Sequence, residues 1–431
     1  MKTRRYFGPL FLALLLTSCD SLEVTDPNAP NVADVSIQSL VTGVEGSMRT
    51  DLFVYLVGSG TLAREVYYMD PADPRWTAEL LTGPLDPGGF IVLRPWRARY
   101  RAIGNVRALE GRISSDLSGA AQSAAYGFAK TVKAYQLLLN LNYMGDNGIK
   151  IEFSTDIATP FVEPAVAYDE IERLLDEGYS DLQSGGSAFP FSLSSGFDGF
   201  DTPFDFARFN RGLRARVALY RFDYDTALNA LSGSFVDEPG DMNLGVYHVY
   251  SAGSGDQLHP LYALPTAPFV KLRAHPMYKD MAIAGDLRYS SKIFDRSDDP
   301  SFDPSPSSAN GVSTALVATV AENSVSPLPV MRKEELLLIR AEANAGKGNL
   351  AEAMRDINAV RAAANLDQVE LTAANVVDVI LRERMYSLFL EGHRLVDVRR
   401  HDRFDSLPVG LANHKIFRQF PRPFDEVPQD N

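Results

Sequence analysis

Apolar residues recur at intervals of three and four along most of this chain, which is the spacing of one face of an α-helix. The pattern is clear in residues 94–113, where Trp96, Tyr100 and Ile103 fall on one face. The segments that show it are 35–57, 94–113, 120–143, 166–182, 204–221, 224–231, 334–345, 350–364 and 373–391, with a short helical stretch through Arg400 after the last. The pattern therefore predicts a mainly α-helical protein.

Several of these predicted helices follow one another closely and form candidate antiparallel pairs. The turn GKGN joins the pair 334–345 and 350–364, and its Gly-Lys-Gly is typical of a helix C-cap. Hairpins of this size resemble tetratricopeptide-type packing, in which one pair cannot bury its apolar face without stacked neighbours. Unequal insertions separate the pairs, so we expect one helical body and not a regular solenoid.

Two regions interrupt the helical pattern. Residues 64–93 contain Asp-Pro twice, Gly-Pro and Pro-Gly-Gly, and they are predicted to form a long loop. Residues 233–331 are rich in Gly, Ser, Pro and Asp, and aromatic residues recur there at Tyr247, Tyr250, Tyr262, Phe269, Tyr278 and Tyr289. A structureless connection of that length is unusual in a compact domain. It is predicted to be an irregular, loop-rich lobe with short strands, set against a helical scaffold of about 35–232 and 332–402 within one body, 35–431.

The N-terminus has the layout of a processing signal. Three basic residues precede the apolar stretch Leu10–Leu16, which is too short to span a bilayer, and Leu-Thr-Ser then leads into Cys19, the chain's single cysteine. This resembles a bacterial lipobox, so we expect a signal peptide at 1–18, lipidation of Cys19 and a Pro- and Asn-containing tether at 19–34. The alternatives are an ordinary secretory signal with an incidental cysteine, or a buried free thiol.

Composition excludes several classes of function. A single cysteine permits neither an intramolecular disulfide nor a Cys-rich metal centre. The net charge of −13, which becomes −16 once residues 1–18 are removed, argues against binding to a nucleic-acid backbone. No HExxH, GxSxG, GxGxxG or EF-hand spacing occurs, so we expect neither an enzyme nor a cofactor, although counting carboxylates does not exclude a glycosidase. An Asp-rich loop, 295–303, leaves calcium binding open.

The C-terminal region carries a distinctive constellation. Its members are Glu335, Arg340, Ala341, Glu342, Ala343, Ala353, Asn358, Arg361, Glu383, Arg384, Glu391, Gly392, Arg394, Asp397 and Arg400. With Trp96, Tyr100, Ile103 and Asn105, spaced WxxxYxxIxN, it resembles the SusD/RagB family of outer-membrane nutrient-uptake lipoproteins; Val396 departs from the usual aromatic residue. The charged members are predicted to lock helices together by Arg–carboxylate pairs and not to catalyse a reaction.

The resemblance implies a lipid-anchored outer-membrane protein that faces the cell exterior, captures glycans or oligosaccharides, and delivers them to a SusC-like TonB-dependent porin. Capture of peptides is an alternative within the family. A helical-repeat scaffold of the envelope, without a small-molecule ligand, is an alternative outside it.

A sugar ring has an apolar face and a hydroxyl rim, so a glycan site requires flat aromatic rings beside hydrogen-bonding groups. The segment EVYYMDPADPRW supplies both. The candidate ligand-binding residues are Trp76, Tyr67 and Tyr68 for stacking and Asp70, Asp73 and Arg75 for hydroxyl groups, with Tyr247, Tyr250 and Tyr262 as a second rank. The alternative for Trp76 is that it folds back to cover the helices.

Overall fold

The computed structural model describes residues 35–152, 159–298 and 307–427, and the described residues from Ile37 onward form one compact unit. The predicted signal peptide, Cys19 and the tether lie outside the described residues, as do Asp299 and Asp303 of the Asp-rich loop. Within the described ranges, no helix combines the length and apolar character that crossing a bilayer requires.

The described helices account for most of the regular structure. They are α1 Ile37–Met48, α2 Leu52–Leu62, α3 Arg75–Thr82, α4 Phe90–Asp116, α5 Gly119–Met144, α6 Pro164–Gln183, α7 Pro203–Tyr220, α8 Tyr224–Ser232, α9 Met277–Asp280, α10 Leu287–Lys292, α11 Lys333–Gly346, α12 Leu350–Ala363, α13 Val376–Ser387 and α14 Arg394–Arg400.

The short strands are β1 Val66–Tyr68, β2 Gly245–His248, β3 Leu272–Ala274, β4 Ile293–Asp295, β5 Ser307–Ala309, β6 Val312–Thr314, β7 Leu316–Ala318 and β8 Leu328–Arg332. Apart from β1, they lie in the predicted lobe. An antiparallel sheet has the order β1-β3-β7-β4, while β2 pairs with β8 and β5 with β6. The predicted fold class, helical hairpins with an irregular lobe of short strands, is confirmed.

The predicted hairpins pack as neighbours. Helix α5 packs along α6, α6 on α7, α7 on α8, and α11 on α12. Two glycines let α5 and α6 approach closely: a Cβ atom added to Gly127 would lie 2.9 Å from the carbonyl oxygen of Gly178 and 2.5 Å from Leu182. Because real Cβ atoms do not reach such distances, a side chain at Gly127 would force these helices apart.

Three local predictions were wrong. Residues 35–57 are not one helix, because Asp51 adopts a left-handed φ of 55° and separates α1 from α2. Residues 64–93 are not a continuous loop, because they contain β1, α3 and the start of α4. Proline is compatible with the beginning of a helix, where its missing N–H costs nothing, and Pro74 immediately precedes α3. The final long helix ends at Ser387 and not at Glu391.

The family-like charged residues join the elements of the scaffold. Buried Arg–carboxylate pairs connect α7 to α11 (Arg216–Glu335, 2.6 Å), α12 to α13 (Arg361–Glu383, 2.6 Å), α13 to α14 (Arg384–Asp397, 2.7 Å) and β8 to the segment after α13 (Arg332–Glu391, 2.7 Å). The predicted structural role of these residues is confirmed. Arg394 has a different bond, which its Nε donates to the carbonyl of Ala63.

Candidate functional site

The strand β1 places the two predicted tyrosines on opposite sides of the lobe sheet. Tyr67 pairs with Arg273 and Tyr68 with Leu272 of β3, and consecutive residues of a strand point to opposite faces. Tyr67 is therefore buried, at 3% exposure, whereas Tyr68 is half-buried with one edge toward solvent. Burial raises the pKa of the Tyr67 hydroxyl to about 12, so it stays protonated in neutral solution.

Trp76 lies in the core and not in a loop. It sits on the inner face of α3 and is 5% exposed. Its ring packs edge-on against the rings of Phe53, Tyr68 and Phe90, with centroid distances of 5.6, 5.3 and 5.2 Å. The stacking role predicted for Trp76 is therefore corrected, because the buried indole has no face free to contact a ligand. It packs instead against the ring of Tyr68 from inside the core. Tyr67 is corrected for the same reason.

Asp73 and Arg75 are near the surface but are largely occupied with each other. Two guanidinium nitrogens of Arg75 donate to the two carboxylate oxygens of Asp73 at 2.8 Å, and this bidentate pair lowers the pKa of Asp73. The Arg75 guanidinium also lies 4.6 Å from the ring centroid of Phe90. Both residues border the site without opening into it.

Asp70 is held at the rim of the lobe by a residue that the sequence did not single out. Lys271, at the start of β3, places its Nζ 2.8 Å from Asp70 Oδ2 and 5.9 Å from the Tyr68 ring centroid. The hydrogen bond from Lys271 lowers the pKa of Asp70, so the carboxylate is ionised at neutral pH. A cation and an anion thus stand beside one aromatic ring.

The most exposed aromatic side chain among the described residues is Phe269, at 90%. It lies between two surface depressions of about 230 and 620 Å³ whose walls share Phe269, Val270 and Lys271. The smaller depression also contains Tyr68 and Tyr262, and the larger contains Asp70 and Asn310. We call Tyr68, Tyr262 and Phe269, with Asp70, Lys271 and Asn310 at their sides, the aromatic face.

The structure thus brings together three residues predicted from sequence: Tyr68, Asp70 and Tyr262. Sequence reasoning noted Phe269 as one of several lobe aromatics but did not select it. A usable signal was present, because Phe269 directly follows Pro268 in a segment, 259–271, with prolines also at 260 and 265. A proline-rich segment is extended and resists folding back over its own side chains.

The other second-rank tyrosines lie elsewhere. Tyr250 is buried, at 5% exposure, with its ring 5.2 Å from that of His259. Tyr247 is on β2 and lines a separate cleft of about 500 Å³ beside Arg332 and Glu391. Neither residue contributes to the aromatic face.

The aromatic face offers apolar rings beside hydrogen-bonding groups. Its two charged side chains, Asp70 and Lys271, are paired with each other. Throughout ranges 35–152, 159–298 and 307–427, no group of three or more His, Cys, Asp or Glu residues is placed to hold a metal ion. The chemistry that this arrangement supports is reversible binding of a ligand with both apolar and hydroxyl surfaces.

Comparison with known proteins extends the resemblance found in the sequence. The SusD family model matches residues 312–426, which contain most of the C-terminal signature. No curated protein sequence matches the chain.

Solved structures with a similar fold include a SusD-like carbohydrate-binding protein from Bacteroides vulgatus, with a TM-score of 0.64 and 16% identity over 86% of this chain and 83% of that one. Another is surface glycan-binding protein A from Bacteroides thetaiotaomicron in complex with laminarihexaose, with a TM-score of 0.68 and 15% identity over 90% and 96%. A laminarin-binding SusD-like protein has a TM-score of 0.64 and 17% identity over 90% and 96%. The resemblance to the SusD/RagB family is confirmed.

Proposed function

We propose that this SusD-like chain is a cell-surface lipoprotein that binds an oligosaccharide at the aromatic face and delivers it to a SusC-like TonB-dependent porin. The observation that carries the proposal is the exposure of Phe269 between two depressions lined by Tyr68, Tyr262, Asp70 and Asn310. Capture is taken to be non-enzymatic.

The physical reason is the cost of leaving a phenyl ring in water. Burying a phenylalanine side chain stabilises a folded protein by about 1.5–3 kcal/mol, and the exposed ring of Phe269 does not provide this stabilisation. An isolated exposed apolar residue needs no explanation, but here Tyr262, at 37%, and Leu264, at 53%, are exposed in the same segment. A sugar that places its C–H face on Phe269 would recover this energy while its hydroxyl groups bond to Asp70 or Asn310.

The choice of first ligand comes from the structural neighbours. One is described as laminarin-binding and another was solved with laminarihexaose. At 15–17% identity these proteins share the fold, and the ligand is carried over to this chain as a hypothesis. Laminarihexaose is therefore the first oligosaccharide to test, followed by a broad glycan array.

The attachment and the partner belong to the same proposal. Lipidated Cys19 would hold the protein to the outer membrane through its acyl chains, because a body of charge −16 gains nothing from an anionic lipid surface. A Cys19→Ala variant should be lost from the membrane fraction when cells are fractionated. Co-purification of a TonB-dependent porin with the wild type would support delivery to a transporter.

A binding experiment tests the ligand and the site together. Calorimetric titration with laminarihexaose should show saturable binding for the wild type and at least about a tenfold weaker affinity for Phe269→Ala. Phe204→Ala is the matched control, because Phe204 is also exposed, at 66%, but lies on scaffold helix α7. Equal affinities of all three proteins would remove Phe269 from the site.

The alternatives give different results. If no glycan on the array binds, but peptides bind and a porin co-purifies, the result would favour a RagB-like peptide-capturing protein. If neither glycans nor peptides bind and no porin co-purifies, the result would favour an envelope scaffold. Release of new reducing ends during the titration would contradict a purely binding role.

A further inference from the structure

The segment 260–271, which carries Tyr262 and Phe269, has no helix or strand of its own. Within it, Ala267 N–H donates to the carbonyl of Leu264 at 3.0 Å, and Tyr262 N–H donates to that of His259 at 3.2 Å. These short turns do not connect the segment to the rest of the lobe. Met69 N–H donates to the carbonyl of Lys271 at the end of the segment, at 2.8 Å. The position of Phe269 depends further on bonds from side chains outside the segment.

Two buried arginines make such bonds on either side of Phe269. Arg296 Nη2 donates to the carbonyl of Ala267 at 2.5 Å, two residues before the ring. Arg273 Nε donates to the carbonyl of Val270 at 2.8 Å, one residue after it. The arginines are 6% and 2% exposed, so water competes little for these bonds.

One arginine lies in the sheet of the lobe and the other directly beside it. Arg273 is in β3 and faces Tyr67 of β1 and Val317 of β7 in the sheet register. Arg296 directly follows β4, and its N–H donates to the carbonyl of Ala315 at 3.3 Å. Because the same sheet also presents Tyr68, the two guanidinium groups tie the Phe269 segment to the strand that carries the neighbouring ring.

The arrangement is costly for stability alone. The described residues give Arg273 main-chain carbonyls, those of Val270 and Ala315, in place of a carboxylate partner. Burial and the nearby positive charge of Arg296 lower the pKa of Arg273 to about 10, so the guanidinium remains charged at neutral pH. Two buried like charges repel each other. The gain from this order lies in ligand binding, because a preorganised site loses less conformational entropy when the ligand binds.

We propose that Arg273 and Arg296 are positioning residues of the aromatic face, which hold Phe269 in the orientation that stacks on the ligand. This inference rests on the proposed glycan-binding function. A planar guanidinium with several fixed donors can brace a carbonyl in one direction while bonding elsewhere, whereas the single ammonium of lysine cannot reproduce that geometry.

A double-mutant cycle separates positioning from general stability. Laminarihexaose affinity is measured for the wild type, Phe269→Ala, Arg296→Met and the double variant. Arg296→Met should weaken binding by about tenfold in the wild type and by less than about twofold when Phe269 is already alanine, because both changes remove one interaction. An equal loss in both backgrounds, or no loss, would overturn the inference. Arg273→Lys, which keeps the charge, provides a second variant should Arg296→Met fail to fold.

Amide hydrogen exchange of the free protein provides a ligand-independent readout. Residues 261–271 should exchange at least about tenfold faster in Arg296→Met, while amides of α5 and α11 keep their wild-type rates. Unchanged exchange in 261–271 would contradict the bracing even if affinity falls. A wild type that binds no glycan defeats the proposed function, whereas a wild type that binds and an Arg296→Met variant that binds equally well defeats only this inference.

Discussion

Two groups of buried arginines, one in the helical scaffold and one in the loop-rich lobe, bond to different kinds of partner. In the scaffold, buried arginines such as Arg216 and Arg384 meet carboxylates on neighbouring helices at 2.6 and 2.7 Å. In the lobe, Arg273 and Arg296 donate to backbone carbonyls of an irregular segment. Arg216 and Arg384 therefore neutralise charge where one helix meets another, while Arg273 and Arg296 hold a segment that presents an uncovered aromatic ring.

The two tryptophans of the scaffold and Phe269 of the lobe differ in how far their rings are exposed. Trp76 and Trp96 are buried in the scaffold core at 5% and 1% exposure, whereas Phe269 in the lobe is 90% exposed. A ring that is covered contributes to folding, and a ring that is left open is available to a partner. Substitutions in the two regions should accordingly separate loss of stability from loss of binding.

The largest effect is expected from Trp76→Ala. Removing a buried indole that packs on Phe53, Tyr68 and Phe90 leaves a cavity and should lower the free energy of unfolding by about 4 kcal/mol. Chemical denaturation monitored by circular dichroism measures this. Phe269→Ala is the exposed counterpart and should change stability by less than about 0.5 kcal/mol. Similar losses in the two variants would remove the distinction between covered and open rings.

Glu335→Gln should have the next largest effect. The substitution leaves the buried guanidinium of Arg216 without a negative partner, at an expected cost of about 3 kcal/mol, while glycan binding by the remaining folded protein is unchanged. The control is Glu352→Gln, which breaks the exposed pair with Arg355 and should cost less than about 0.5 kcal/mol. A small effect of Glu335→Gln would show that the scaffold pairs contribute little to stability.

The pH dependence of stability should carry a contribution from Glu65, which lies between α2 and β1 where scaffold meets lobe. Burial raises its pKa to about 7, against hydrogen bonds from Leu390 N–H and the Tyr278 hydroxyl. A raised carboxyl pKa means that the folded state binds the proton more tightly than the unfolded state. The stability that protonated Glu65 contributes to the fold is therefore fully present below about pH 4.5 and is lost as pH rises through about 7.

Glu65→Gln should remove up to about 3 kcal/mol of the change in unfolding free energy between pH 5 and 8. Urea denaturation at a series of pH values measures this change. Glu342→Gln is the opposing control. Its pKa is held far below the usual range by Arg400, so wild-type Glu342 contributes stability that is lost only as pH falls into the acid range. An unchanged slope in Glu65→Gln would contradict the neutral-range titration of this group.

The effect of Asp70→Asn on stability should be small. Its partner Lys271 is 40% exposed, so the ion pair contributes less than about 1 kcal/mol. Binding of laminarihexaose should nevertheless weaken severalfold, because the carboxylate is a stronger hydrogen-bond acceptor than the amide. Asp237→Asn is the control, because Asp237 is 77% exposed and pairs with Arg340 of scaffold helix α11. Unaltered affinity in Asp70→Asn would confine the site to its aromatic rings.

Much of the scaffold could be predicted because its signals are local or chemical. Helical spacing identified α4 to α8, α11 and α12 to within a few residues, and the charges of Glu383, Arg384 and Asp397 predicted locking pairs. The partner that reaches Glu383 from the lobe, Arg288 on α10, was not predicted. Nothing in the spacing of Arg288 relates it to a residue 95 positions later, and only the folded chain brings them together.

The candidate site was predicted in part for the same reason. Tyr68, Asp70 and Tyr262 were selected by residue type and meet at the aromatic face, but Trp76 was placed with them although α3 turns it inward. A proline-rich segment hides a short helix from a periodicity argument, since eight residues give only two turns. Phe269 was not selected because its exposure depends on which other elements pack against its segment, and residue type does not show this.

The sequence by itself determined that this is a helical, acidic chain with one cysteine at a lipobox-like position and a charge signature of the SusD type. These properties follow from composition and from spacings of a few residues. Only the tertiary structure decided which aromatic rings are covered and which are open, and which arginines meet carboxylates or carbonyls. Exposure is set by the surface of other elements that pack against a residue, and periodicity along the chain describes a residue's own face but not what lies opposite.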